Sequence, residues 1–156
     1  MELADWIGAW PGARLVQRSA VAYLFVNAAH ILGVGLILGA ILPLDLRLLG
    51  VLRSPPLQAL GPFLSRTAAA GVLLAVFTGA WLFSVRPHEY FENAAWRWKM
   101  AMLFLAVLNV AVQHRGRAYR EALGGAPPAG SVRLLAAASA LLWLAVLVAG
   151  RWIGFL

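Results

Sequence analysis

Four long apolar runs set the limits on what this chain can fold into. A helix needs about 20 residues to cross the hydrocarbon of a bilayer. Residues 20–44, 67–85, 96–114 and 134–156 each supply such a stretch. Charges bracket the runs: Arg18 before the first, Asp45 and Arg47 after it, Arg66 and Arg86 around the second, Arg115 and Arg117 beyond the third. A soluble domain carries roughly 45–50% apolar and about 25% charged residues. Here 62% are hydrophobic and 12% charged, which excludes a water-soluble globule. No alternating stretch of about ten residues appears, so a transmembrane β-barrel is excluded too. The expected fold is all-α: an integral membrane four-helix transmembrane bundle with short interfacial helices, one domain over residues 1–156.

The connections are short. Residues 1–18 read as an interfacial segment anchored by Trp6 and Trp10 ahead of Pro11-Gly12. Its acidic opening, MELADWIGAW, does not suit a secretory signal. Ser54-Pro55-Pro56 followed by Leu57, Leu60 and Leu64 reads as the start of a short amphipathic helix on the membrane surface. The 86–93 stretch is a polar aromatic loop, and residues 124–130 form a Gly/Pro turn before the last span.

The net charge is +7, but the arginines cluster at the ends of apolar runs, where topology and anionic headgroups account for them. Nucleic acid is not an expected partner, because no basic recognition helix accompanies the charge. The chain has no cysteine, which removes disulfides, thiolate zinc sites, iron–sulfur clusters and covalent haem attachment. Arg47, Arg53, Arg66, Arg115, Arg117, Arg120 and Arg133 lie in the first and third connections. Arg14, Arg18, Arg86 and Arg97 lie on the other side. The positive-inside rule then puts both termini on the periplasmic side of a bacterial inner membrane.

Ionisable groups inside spans are costly and mark candidate sites. They are His30 in the first span, Lys99 and His114 at the two ends of the third, and Arg151 in the fourth. At a rise of ~1.5 Å per residue, His30 lies ~3 Å and Met102 ~4–5 Å to the outer side of the midplane. Lys99 and Arg151 both lie ~9 Å out on that side, and His114 lies ~13 Å towards the other. His30 is the candidate metal or haem ligand, with Asn27 one turn away to orient the ring. The alternative is a core histidine hydrogen-bonded to a neighbour. Gly33, Gly35 and Gly39 thin the same helix, either for a flat macrocycle or for small-residue helix packing between Gly35 and Gly39. Lys99 and Arg151 would clamp an anion if they face each other, and otherwise snorkel beside Trp96, Trp98 and Trp152. Met102 is a soft ligand one turn from Lys99, and simple packing is its alternative. Asn109 and His114 complete the candidate cofactor-binding set. Asp45 and Arg47 share no helix face and are each expected to pair with another element.

The segments Asn27-Ala-Ala-His30-Ile-Leu-Gly33 and Asp45-Leu-Arg47-Leu-Leu-Gly50 resemble an uncharacterised bacterial family of four-span inner-membrane proteins. Thr78-Gly79, Trp98-Lys99, Asn109, His114-Arg115 and Gly150-Arg151 fit the same resemblance, which covers nearly the whole chain. More distantly, the layout is similar to HemJ-type protoporphyrinogen oxidases and CopD-type copper-resistance membrane proteins. His30 and Lys99 match a first-span histidine and a later lysine of the HemJ type. That resemblance implies haem binding by the histidine and oxidation of a porphyrinogen. Here the first span ends in Pro43-Leu44-Asp45-Leu46-Arg47 rather than the aromatic proline–arginine pattern of that group.

The functional expectation is a haem b-binding integral membrane protein with an electron-transfer or porphyrin-redox role. The alternative is a non-enzymatic membrane subunit or anchor packed against a partner, and a third reading is a transporter or metal-handling protein. Expected partners are the lipid bilayer together with an electron-transfer partner, a larger membrane complex or a second copy.

Overall fold

The computed structural model describes residues 2–155. Met1 and Leu156, the outer limits of the expected interfacial segment and fourth span, lie outside them. The described residues contain eight α-helices and no strand: α1 (Glu2–Ala9), α2 (Pro11–Arg18), α3 (Ala20–Leu49), α4 (Leu57–Phe83), α5 (Pro87–Glu92), α6 (Ala94–Arg115), α7 (Arg117–Leu123) and α8 (Gly130–Trp152). Four helices are long and apolar enough to cross a membrane: α3, α4, α6 and α8, the last extended by a turn of 3-10 helix to Phe155. The chain is a multi-pass membrane protein built as an all-α four-helix bundle.

Local chemistry sets the helix ends. Ser19 caps α3, its hydroxyl accepting from the Ala22 amide at 3.2 Å. Gly50 ends α3 at φ 83°, a left-handed conformation that glycine adopts without a Cβ penalty. Asn93 caps α6 by accepting from the Trp96 amide at 3.1 Å. The 30 residues of α3 reach ~45 Å, well beyond the ~30 Å hydrocarbon. The helix is therefore longer than an untilted span requires. The surface helix expected after Pro56 is not separate. It continues without a break into the second span as α4, and Leu57, Gly61 and Leu64 face inward along it.

Around the bundle, α4 packs on α3, α3 on α8, and α8 on α6. No comparable seam joins α4 to α6. Burying apolar surface does little to hold helices together in lipid, because the tails are as apolar as leucine. Leu24, Phe25, Phe77 and Phe104 are accordingly exposed and face outward. Close packing and interhelical hydrogen bonds carry the association instead. The closest approach is between α3 and α4. A Cβ on Gly33 would stand 2.8 Å from the Ala75 nitrogen, and one on Gly71 would stand 2.9 Å from both the Gly33 oxygen and the Ile37 nitrogen. Gly35 and Gly39 have nothing within 4 Å, so the small-residue seam uses Gly33 and Gly71, not the Gly35–Gly39 pair. On the other side, Asn109 ties α6 to α8 by donating from Nδ2 to the Leu135 carbonyl at 3.0 Å. Such bonds average ~0.6 kcal/mol in membranes.

The N-terminal helices fold over the α4–α5 turn. Trp10 donates to Ser84 Oγ at 3.0 Å, Gln17 donates to the Val85 carbonyl at 3.0 Å, and Trp81 donates to the Gly12 carbonyl at 2.9 Å. Trp10 is thus bonded to protein though still exposed, and Trp6 is more exposed still. Phe83 stacks on Trp96 with centroids 5.2 Å apart, closing this end between α4 and α6.

The seam has a direct test. Gly71→Leu forces a branched side chain against the α3 backbone and should lower stability by about 1–3 kcal/mol, read as a drop in thermal midpoint in detergent. Gly39→Leu, which meets open space, should leave the midpoint nearly unchanged. Equal effects of the two would show that the α3–α4 contact is not where stability is concentrated.

Candidate functional sites along the first span

His30 projects from α3 onto α4. Its Nδ1 lies 3.0 Å from the Ala75 carbonyl oxygen and 3.1 Å from Thr78 Oγ1. A carbonyl only accepts, so Nδ1 carries the proton. The Thr78 hydroxyl donates to the Leu74 carbonyl at 2.6 Å, which turns a lone pair towards His30. In the neutral ring Nε2 is therefore the unprotonated nitrogen. Gly79 makes room for the ring: a Cβ there would sit 3.0 Å from His30 Cε1. Ala75 and Thr78 of α4 orient the imidazole. Asn27 makes no side-chain hydrogen bond among the described residues.

The other candidates at this end are more dispersed. Lys99 is half-buried and reaches α8, where its Cε and Nζ lie 3.4 Å from the position of a Cβ on Gly150. Arg151 turns over Phe155, its guanidinium carbon 5.0 Å from the ring centroid, and is exposed. No common partner joins the two cations among the described residues. Met102 lines an apolar groove between α6 and α8 with Trp98, Leu144 and Trp152. His114 is exposed at the far end of α6, donating from Nδ1 to the Val110 carbonyl at 3.0 Å with its ring 4.8 Å from Tyr119. The structure thus gives His30 hydrogen-bond partners at Nδ1 alone among the described residues, and does not gather Met102 or His114 around it. The described residues contain no group of three or more His, Cys, Asp or Glu able to hold a metal ion.

The opposite end of α3 holds a second constellation. A cleft of about 560 Å³ opens between α4 and α6, lined by Asp45, Ser65, Gln113, Tyr119, Ser139 and Trp143 among others. Asp45 is 3% exposed, Tyr119 2%, Trp143 3% and Gln113 6%. Five buried side-chain atoms have no hydrogen-bond partner among the described residues: Asp45 Oδ2, Ser65 Oγ, Gln113 Oε1, Tyr119 OH and Trp143 Nε1. Every one belongs to a residue of this lining. An unsatisfied buried polar group costs ~1–3 kcal/mol, so five in one place is an unusual concentration. Burial holds the Tyr119 phenol above its ordinary range. The Ser65 hydroxyl stands close enough to the phenol to work the other way, though short of a well-formed hydrogen bond, and the Asp45 charge adds to the rise. As for the expected pairing of Asp45 and Arg47 with other elements, Arg47 donates to the Pro55 carbonyl in the connection after α3 at 2.9 Å, and Asp45 lies beside the Ser139 hydroxyl of α8 with no salt bridge among the described residues. Sequence reasoning passed over Ser65, Tyr119 and Trp143. Trp143 carried a usable signal, since tryptophans belong at membrane interfaces and this one stands in the middle of α8.

The sequence model of a family described as "Family of unknown function (DUF6644)" matches residues 16–156. No curated protein and no solved structure matches the chain.

Proposed function

We propose that this chain, which belongs to the DUF6644 family of unknown function, binds haem b in the membrane and serves electron transfer or porphyrin redox chemistry, with His30 as an axial ligand. One observation supports this reading above others. The α3–α4 seam fixes the proton on His30 Nδ1 and leaves Nε2 bare, the state in which histidine binds a metal. Donation from Nδ1–H to a backbone carbonyl is the usual outer support of a ligating histidine, and makes the ligating nitrogen more basic. Haem, when bound, supplies a one-electron couple whose potential the axial ligand and surrounding dielectric tune. The chain's own residues orient the imidazole through Ala75 and Thr78 and leave room for it at Gly79. Lys99 and Arg151 supply positive charge at the same end of the bundle. The match of His30 and Lys99 to HemJ-type positions adds to this support.

A second reading, a non-enzymatic subunit packed against a partner helix, rests on the α6–α8 groove. Ala94, Ala95, Ala145 and Ala149 give that groove a floor of small side chains, as helix–helix contacts in lipid prefer.

An absorption spectrum separates the two. The haem reading expects a Soret band and split visible bands on reduction of the purified protein, both lost in His30→Ala. A colourless protein from haem-replete cells that takes up no added haemin would contradict it and favour the subunit.

The same reading sets the protein in a bacterial inner membrane with both termini outside the cytoplasm, supported by the arginines of the first and third connections. A cysteine at Ala126 should then resist an impermeant thiol reagent in intact cells, while one at Asn93 reacts. The reverse pattern would invert the orientation.

A further inference from the structure

We propose that the cleft between α4 and α6 is a binding site for an organic ammonium: a protonated amine with an oxygen nearby and an apolar chain. The site is independent of the haem reading, since Asp45 lies fifteen residues beyond His30 on α3, ~22 Å along the helix axis.

Four of the five orphaned atoms accept hydrogen bonds: the Asp45 carboxylate oxygen, the Gln113 amide oxygen, and the hydroxyls of Ser65 and Tyr119. They come from α3, α6, α4 and α7, four elements converging on one space. The Ser139 hydroxyl of α8 stands beside the Asp45 carboxyl. A buried carboxylate is stabilised by a positive partner, and among the described residues no cation forms an ion pair with Asp45. Arg66 and His114 also line the cleft, but both are exposed and neither bonds to a carboxylate among the described residues. The missing charge falls to an occupant.

The walls define what kind of cation it is. The lining is largely apolar, with Ile41, Val72 and Val110 among it, and the volume is about 560 Å³. That falls in the ~300–1,000 Å³ range of organic ligand sites and is far larger than a bare metal ion fills. Trp143 and Tyr119 add aromatic faces, which attract organic cations through the ring quadrupole. The Trp143 indole N–H is the one orphaned group that can only donate, and an oxygen near the ammonium satisfies it. The apolar chain then lies along the aliphatic wall towards the gap between α4 and α6.

The test uses the full chain in nanodiscs and three probes sharing one carbon skeleton: 1-amino-2-octanol, 1,2-octanediol and 2-hydroxyoctanoate. Binding is followed by tryptophan fluorescence, with empty nanodiscs correcting for partition into lipid. The wild-type protein should bind the amine saturably and at least about 30-fold more tightly than the diol, and the hydroxy acid not at all. Asp45→Asn should bring the amine down to the level of the diol and leave the diol unaffected. The discrimination among probes is read on the wild-type protein, so the result stands even if Asp45→Asn fails to fold. Equal binding of amine and diol, preference for the acid, an unchanged amine affinity in a folded Asp45→Asn, or no saturable binding would each overturn the assignment.

Discussion

The backbone-to-backbone approach of α3 and α4 at Gly33 and Gly71 is the contact on which the rest of the molecule depends. Lipid tails do not drive two apolar helices together, so the helices meet only where their surfaces allow close packing. Absence of a Cβ at both positions lets the Gly33 oxygen and Ile37 nitrogen of α3 lie directly against α4. That proximity carries His30 within 3.0 Å of a main-chain carbonyl on the neighbouring helix. A carbonyl at that place settles which ring nitrogen holds the proton. Packing geometry is thereby converted into chemical state: the seam, not a conventional side-chain partner, prepares the imidazole.

The bundle is asymmetric because its other seams are different. Asn109 and small residues join α6 to α8, and α8 joins α3, but at the arginine-rich end α4 and α6 share no comparable seam and are linked through α7. At the opposite end Phe83 and Trp96 stack across this same pair of helices and close it. The result is a helix, α3, with a prepared histidine facing α4 near the middle of the span and a carboxylate looking into the open cleft towards its C-terminal end. Both polar sites share a single scaffold, and a change in the tilt of α4 would be felt by both.

Much of this was legible in the sequence. Four apolar runs with bracketing arginines are a one-dimensional signal, and the four spanning helices follow from it. His30 stood out for the same reason, because an ionisable residue deep in a span is expensive. What orients it was not legible. Asn27 has the right spacing on its own helix, but Ala75 and Thr78 reach the ring from another helix, and one contact is a main-chain oxygen that no residue type announces. Gly35 and Gly39 fit the small-residue spacing, yet the seam is made by Gly33 with Gly71, because the rotation of α3 about its axis decides which glycines face α4. The break expected between the short helix after Pro56 and the second span is absent, because the apolar face of Leu57, Gly61 and Leu64 continues inward along the same helix. The cleft was least legible of all. Its residues come from five helices, and among the buried ones only Asp45 carries a charge that isolates it from an apolar background. Ser65, Gln113 and Tyr119 look unremarkable until they are brought together.

The central claim is that the α3–α4 seam holds neutral His30 with its proton on Nδ1 and leaves Nε2 free to coordinate. Nitrogen-15 NMR of histidine-labelled protein in bilayers, with His30 assigned by comparison with His30→Ala, tests this most directly. The account predicts one dominant neutral tautomer in the haem-free protein, with a protonated-type Nδ1 resonance and an unprotonated-type Nε2 resonance. A dominant Nε2–H tautomer, or an even mixture of the two, would contradict it.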